Sequence, residues 1–150
     1  MRRYFLAIAG LALVGGGIAL AQADSTPFEI LMRQQGALLY RDINNMVKGE
    51  AAFDQAKVND AYAKLIETGN KLSISFPESS KGKSSEASRY LASPKIWENP
   101  REFNEAIAKF NKVMADNRGK ANSLEELKAL YPVINGACNA CHDVYRSRKS

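Results

Sequence analysis

"GACNACHDVY", residues 136–145, contains both cysteines and the single histidine of a 150-residue chain. Cys138-Asn139-Ala140-Cys141-His142 is C-x-x-C-H, the attachment pattern of c-type haem. The spacing follows from the chemistry. Two thiols add across the two vinyl groups on one edge of a porphyrin, and the imidazole directly after the second thiol reaches the iron from one face. Other chemistries fit less well. A thioredoxin-like C-x-x-C requires a βαβ setting that the surrounding pattern lacks. A zinc site requires four ligands, and two thiolates with one imidazole fall short without a carboxylate. A disulfide accounts for the cysteines of an exported chain but not for the adjacent histidine.

Working outward, the motif closes a helical stripe. Ser123-Leu124-Glu125-Glu126 has capping-box spacing, and Leu124, Leu127, Tyr131, Ile134, Cys138, Cys141 and Tyr145 recur every three or four residues. Pro132 lies inside this helix and is expected to kink it or cost it one backbone hydrogen bond. Three more helices precede it. Thr26 as N-cap, Pro27 in the first turn and Glu29 as capping partner start the first, whose inward face is Phe28, Leu31/Met32, Gln35, Leu39, Ile43 and Met46, with Gly49 at its end. The second starts near Asp54 and buries Val58, Tyr62, Leu65, Gly69 and Leu72. "FPESSKGKSSEAS" then reads as a polar surface loop. Asn99-Pro100-Arg101-Glu102 starts the third, with Phe103, Ile107, Phe110 and Met114 inward and Gly119 as its stop. No strand alternation is convincing. The expectation is all-α: one antiparallel four-helix bundle.

Residues 1–23 read as a secretory presequence, with basic "MRRY", apolar "FLAIAGLALVGGGIALA" and a small-x-small site that places cleavage after Ala23. An uncleaved anchor is the alternative, but Gly15–Gly17 interrupts the apolar run and no basic stop-transfer cluster follows. No cysteine stands near the cleavage site to be acylated. "RRYFL" resembles a twin-arginine signal, yet covalent haem is attached after export, so the chain crosses unfolded. The mature domain is then 24–150. Loss of Arg2 and Arg3 lowers the formal charge from +5 to +3, too mild to argue for nucleic acid. The basic "RSRKS" after Tyr145 reads as a solvated helix end, or as a feature that orients an acidic partner.

"ILMRQQG", "VKGEAAFDQA", "ISFPESSKG", "ASPKIW" and "CNACHDVYR" together resemble the class II cytochromes c, meaning cytochrome c′ and its low-spin relatives of the c-556 type. The resemblance spans essentially the whole mature chain. Most small mono-haem cytochromes c carry the haem motif near the N-terminus, whereas here it lies on the last helix. The family implies a four-helix bundle with one haem c covalently bound between the first and last helices, in the periplasm, usually as a homodimer. By its pattern, Cys138 and Cys141 carry the thioether bonds and His142 is the proximal iron ligand. Met32 falls where low-spin relatives place a methionine ligand, while gas-binding members carry an apolar residue there. A methionine on an apolar helix face is otherwise a core filler, as Met46 and Met114 are expected to be, and a shift of one position would put Leu31 over the iron.

Arg146 matches an arginine that sits beside the proximal imidazole in cytochromes c′. Trp97 is expected near the haem pocket or closing the bundle, and Tyr145 in packing. Phe28 stands where gas-binding members often carry an arginine, which leaves Arg33 or Gln34 to meet the haem propionates. The function this implies is a periplasmic mono-haem carrier of single electrons through a six-coordinate His142/Met32 iron, since Met/His ligation raises the reduction potential. It exchanges electrons with periplasmic redox proteins and keeps no membrane anchor after cleavage. The rival is a five-coordinate protein that sequesters or senses nitric oxide or carbon monoxide. No acid–base pair or substrate pocket suggests an enzyme, and a peroxidase would need a distal histidine that the first helix lacks.

Overall fold

The computed structural model describes residues 25–149; the presequence expected over residues 1–23 lies outside the described residues. Helix α1 (Pro27–Gly36) begins as its sequence dictates. Thr26 is extended, its hydroxyl accepts from the Glu29 N–H, and the Glu29 carboxylate accepts from the Thr26 N–H at 2.8 Å. The winding then changes. Ala37–Ile43 is π-helical, and α2 (Asn44–Lys48) resumes the α form until Gly49, at φ 77°, turns the chain out. The sequence predicts one continuous α-helix here. Leu39 and Ile43, four residues apart, are buried in either winding, so apolar spacing does not reveal a single wide turn of this kind.

Helix α3 (Gln55–Asn70) is capped by Asp54, whose side chain accepts from the Lys57 N–H at 3.1 Å. A methyl group on Gly69 would lie 2.3 Å from Asn111 Oδ1 and 2.9 Å from Phe110 Cε1, so α3 approaches α5 (Pro100–Asn117) too closely for a larger residue unless those side chains shift. The expected side-chain cap at Asn99 does not form. A short helix α4 (Lys95–Glu98) runs straight into α5, and Asn99 serves through its backbone, donating to Lys95 O and accepting from the Phe103 N–H. Helix α6 (Leu124–Tyr145) starts on Ser123, which accepts from the Glu126 N–H at 3.2 Å. Glu126 returns its carboxylate to the Asn122 N–H at 2.7 Å, one residue earlier than the cap itself. Pro132 is accommodated inside one unbroken helix.

α5 lies against both α3 and α6, and α2 also packs on α6. Ile43, Leu65, Met114, Leu127 and Ile134 are fully buried where these helices meet, and Met46 joins them. The molecule is thus the expected all-α four-helix bundle, with one addition. Strand β1 (Tyr90–Ala92) pairs antiparallel with β2 (Arg146–Arg148), Tyr90 opposite Arg148 and Ala92 opposite Arg146. Arg146–Arg148 is therefore an exposed strand and not the solvated helix end expected of this segment. Three residues are too few to show alternation, and β2 is exposed throughout, so neither strand carries a periodic signal. No described helix is long and apolar enough to cross a membrane.

Candidate haem site

A cavity of about 460 Å³ opens at the end of the bundle where α6 finishes. Its walls come from α1, the π-helical turn, α5, the last two turns of α6 and the ribbon. Helical spacing decides what α6 presents: Cys138 and Cys141 are three apart and Cys138 and His142 four apart, so all three share one face. All three line the cavity, and the two thiols are not joined to each other. Burial pushes both thiols up to about 11, with the neighbouring Cys141 adding to the effect on Cys138. Burial, and then the Arg146 guanidinium, push His142 down to about 4, against a small opposing pull from Asp143. Near neutral pH the wall therefore offers two protonated thiols and a neutral imidazole whose lone pair is available to a metal.

Met32 lines the cavity from α1, whereas the adjacent Leu31 does not, although both pack against the core. Met46 and Met114 are buried among the helices, 2% and 0% exposed, and do not reach the cavity. A row of aromatic rings crosses from α1 to α6. Phe28 stacks on Phe76 (centroids 4.7 Å apart, planes within 3°). Phe76 meets Phe103, and Phe103 meets Tyr145, edge to face at 4.9 Å each. All four rings line the cavity, so Phe28 and Tyr145 stand in the pocket. Phe76 escaped the sequence reading because it sits in a stretch read as a polar loop.

Trp97 stands elsewhere. It does not line the cavity; its indole N–H donates to Phe76 O at 3.2 Å, which supports the aromatic row from behind. The short α4 turn aims the ring at the Phe76 backbone instead of the pocket. Arg146 lines the cavity with His142, but by a different backbone route from a further helical turn. The helix ends at Tyr145, and Arg146 is extended (φ −125°, ψ 135°), although its N–H still donates to His142 O. Its guanidinium lies 4.4 Å above the Tyr90 ring and its charge reaches His142, so a strand and not a further helical turn brings it to the site. Arg33 lines the cavity and donates to Ser25 Oγ at 2.9 Å, while Gln34 is exposed outside it.

Glu29 has a second role beyond its cap. It is 7% exposed and lines the cavity, and its carboxylate also accepts from the Ser85 N–H at 3.0 Å and the Ser85 hydroxyl at 3.1 Å. Burial alone would raise its pKa, but the hydrogen bonds from Thr26 and Ser85 outweigh it and hold the carboxyl below its ordinary range. The capping spacing locates Glu29 but carries no hint of Ser85. On the other side, the Tyr40 hydroxyl donates to Asn135 Oδ1 at 3.2 Å and links the π-helical turn to α6.

The donor set, two thiols and a neutral imidazole on one wall and a thioether on another, suits a metal held in an organic macrocycle. Among the described residues no group of three or more His, Cys, Asp or Glu is placed to hold a bare ion. The volume lies within the roughly 300–1,000 Å³ usual for cofactor pockets. Comparison with known proteins agrees. A family model described as Cytochrome C′ matches residues 31–146. A cytochrome c′ of Rhodopseudomonas palustris is 35% identical over 150 residues, covering 100% of both chains. A cytochrome c-556 of the same organism is 33% identical over 95% of each chain. A solved structure of cytochrome c′ from Rhodopseudomonas palustris superposes with a TM-score of 0.70 at 33% identity, covering 82% of this chain and 94% of that one. The chain belongs to the cytochrome c′ family, the class II cytochromes c with their c-556-like members, which bind covalently attached haem c.

Proposed function

We propose that this protein carries single electrons in the periplasm, with haem c bonded through Cys138 and Cys141, His142 on one face of the iron and Met32 on the other. Haem c supplies a one-electron ferric/ferrous couple. The chain's residues set how that couple is used. His142 is held neutral by burial and by Arg146, ready to donate its lone pair. The Met32 thioether is a soft donor that favours ferrous iron and raises the potential. The aromatic row from Phe28 to Tyr145 lines one side of the cavity with apolar rings. A carrier of this kind performs no group transfer of its own, and its partners are redox proteins.

The observation that carries the reading is the placement of Met32, the one described methionine that lines the cavity, while Leu31 does not. The rival reading, an open iron that binds nitric oxide or carbon monoxide, draws on the relative named cytochrome c′. Absorption spectra of the oxidised and reduced haem protein, with and without carbon monoxide, separate the two. Electron carriage predicts sharp low-spin bands that carbon monoxide barely alters, and prompt carbon monoxide binding only in Met32→Ala. A broad high-spin spectrum in the wild type, shifting promptly with the gas, would instead make gas binding the function and Met32 a packing residue.

A further inference from the structure

The ribbon that closes the cavity gathers charge of one sign. Arg89, Arg146 and Arg33 line the cavity itself. Lys83 and Lys149 line an adjoining depression that shares Leu91 with it, and Arg148 stands opposite Tyr90 in the ribbon. The cluster is held in place: the Lys149 N–H donates to Arg89 O at 3.0 Å and its ammonium to Ser85 O at 2.8 Å. Against these six cations stand Glu29, buried under its own hydrogen bonds, Glu86, the one acid between Lys81 and Ala92, and Asp143, whose charge reaches His142. The rim therefore carries +3. Taking Arg2, Arg3 and Asp24 from the chain's 21 basic and 16 acidic residues leaves +4 for residues 25–149. Most of the net charge of the described molecule is thus concentrated here. The two carboxylates of a haem would reduce the rim to +1 without changing its sign. Among them Tyr90 is 37% exposed, and tyrosine and arginine are both enriched at the hot spots of binding faces.

We propose that this rim is the docking face for an acidic surface of a redox partner protein, which it steers to the cavity mouth. The proposal rests on the electron-carrier reading and names the partner's chemistry. Long-range charge of this kind raises association rates by about 10- to 1,000-fold and is screened by salt.

The test follows one electron from the ferrous haem protein to hexacyanoferrate(III), giving hexacyanoferrate(II), or to tris(phenanthroline)cobalt(III), by stopped flow. The wild type should react faster at low salt than at high salt with the anionic oxidant, and show the opposite trend with the cationic one. Lys83→Glu/Arg148→Glu should slow the anionic reaction about tenfold at low salt. Lys120→Glu/Lys128→Glu makes the same change in net charge at the start of α6, about 25 Å away along that helix, and should slow it less than twofold. Poly-L-glutamate, standing in for an acidic protein face, should inhibit the wild type and spare the rim pair. Equal slowing by both pairs would overturn the proposal, because net charge and not the rim would then govern encounter. Sedimentation of the wild type, but not the rim pair, with phosphatidylglycerol vesicles would overturn the choice of a protein over a membrane surface. The electron-carrier reading fails separately, in the carbon monoxide spectra, whichever face the oxidants prefer.

Discussion

Two walls of one cavity are built by opposite means. The α6 wall draws Cys138, Cys141 and His142 from five consecutive residues, and the repeat of the helix alone aims them at the same space. The facing ribbon joins Tyr90 to Arg148 across a gap in sequence that contains the whole of α5 and α6. It is tied down by contacts made only in the folded chain: Ser93 N–H to Tyr145 O at 2.9 Å, Lys149 to Ser85 and Arg89, and Ser85 to Glu29 on α1. The α6 wall thus holds bonding chemistry that needs little tertiary help, while the ribbon wall holds charge and closure that exist only by assembly.

Breaking the first wall should have the larger effect. Cys138→Ser/Cys141→Ser removes both sites of covalent attachment, so the denatured protein should have the mass of the polypeptide alone, against polypeptide plus haem for the wild type. A haem that survives denaturation in the double variant would sink the assignment of both cysteines. Glu29→Gln attacks the second wall and should leave attachment intact. Its cost is expected in stability, about 1–3 kcal/mol at pH 7 in urea unfolding, the usual loss for a buried, charge-assisted hydrogen-bonded group. The sign of the pH dependence follows from the pKa. The folded carboxyl is held below the ~4.3 of an unfolded glutamate. Its contribution is therefore present above that value and lost as pH falls through the folded pKa. The gap between wild type and Glu29→Gln should close in acid. A gap of equal size at pH 3 and pH 7 would mean that the charge of Glu29 does not hold the wall.

The same contrast explains what could be read from the sequence. Thr26-Pro27-Glu29, Asp54 and Ser123 announce helix starts because caps are satisfied within three residues, and the apolar stripes name the core correctly from Val58 to Ile134. That Cys138, Cys141 and His142 share one face is legible for the same reason, whereas helical spacing leaves Leu31 and Met32 as alternatives, and only the folded chain shows that Met32 lines the cavity. What local spacing does not show, Phe76 in the site and the exact settings of Trp97 and Arg146, depends on distant partners. Phe76 has no periodic neighbours and gains its role only when Phe28 and Phe103 close on it. Trp97 is directed by the Phe76 carbonyl, a partner that local spacing does not reveal. Arg146 continues the spacing of α6, yet leaves the helix to pair opposite Ala92 and lie over the Tyr90 ring, partners that helical spacing does not reveal. The π-helical turn keeps the same buried residues as an α-helix, so the pattern of apolar positions is blind to it.

The smallest effect sharpens the comparison most. Tyr90→Ala removes the ring beneath the Arg146 guanidinium, an exposed cation–π contact worth about 0.5–1 kcal/mol. Tyr90→Phe should cost almost nothing, because the ring is what faces the guanidinium. A loss in Tyr90→Phe equal to that in Tyr90→Ala, measured by urea unfolding, would shift the role from the ring to the hydroxyl. In either variant the ribbon should persist, since its backbone is held beyond that ring by Lys149, Ser93 and Ser85. Haem attachment should be untouched, since Cys138, Cys141 and His142 take their positions from α6 alone. A ribbon wall that loses a contact and still stands is held by many weak ties, whereas the α6 wall concentrates its function in three side chains.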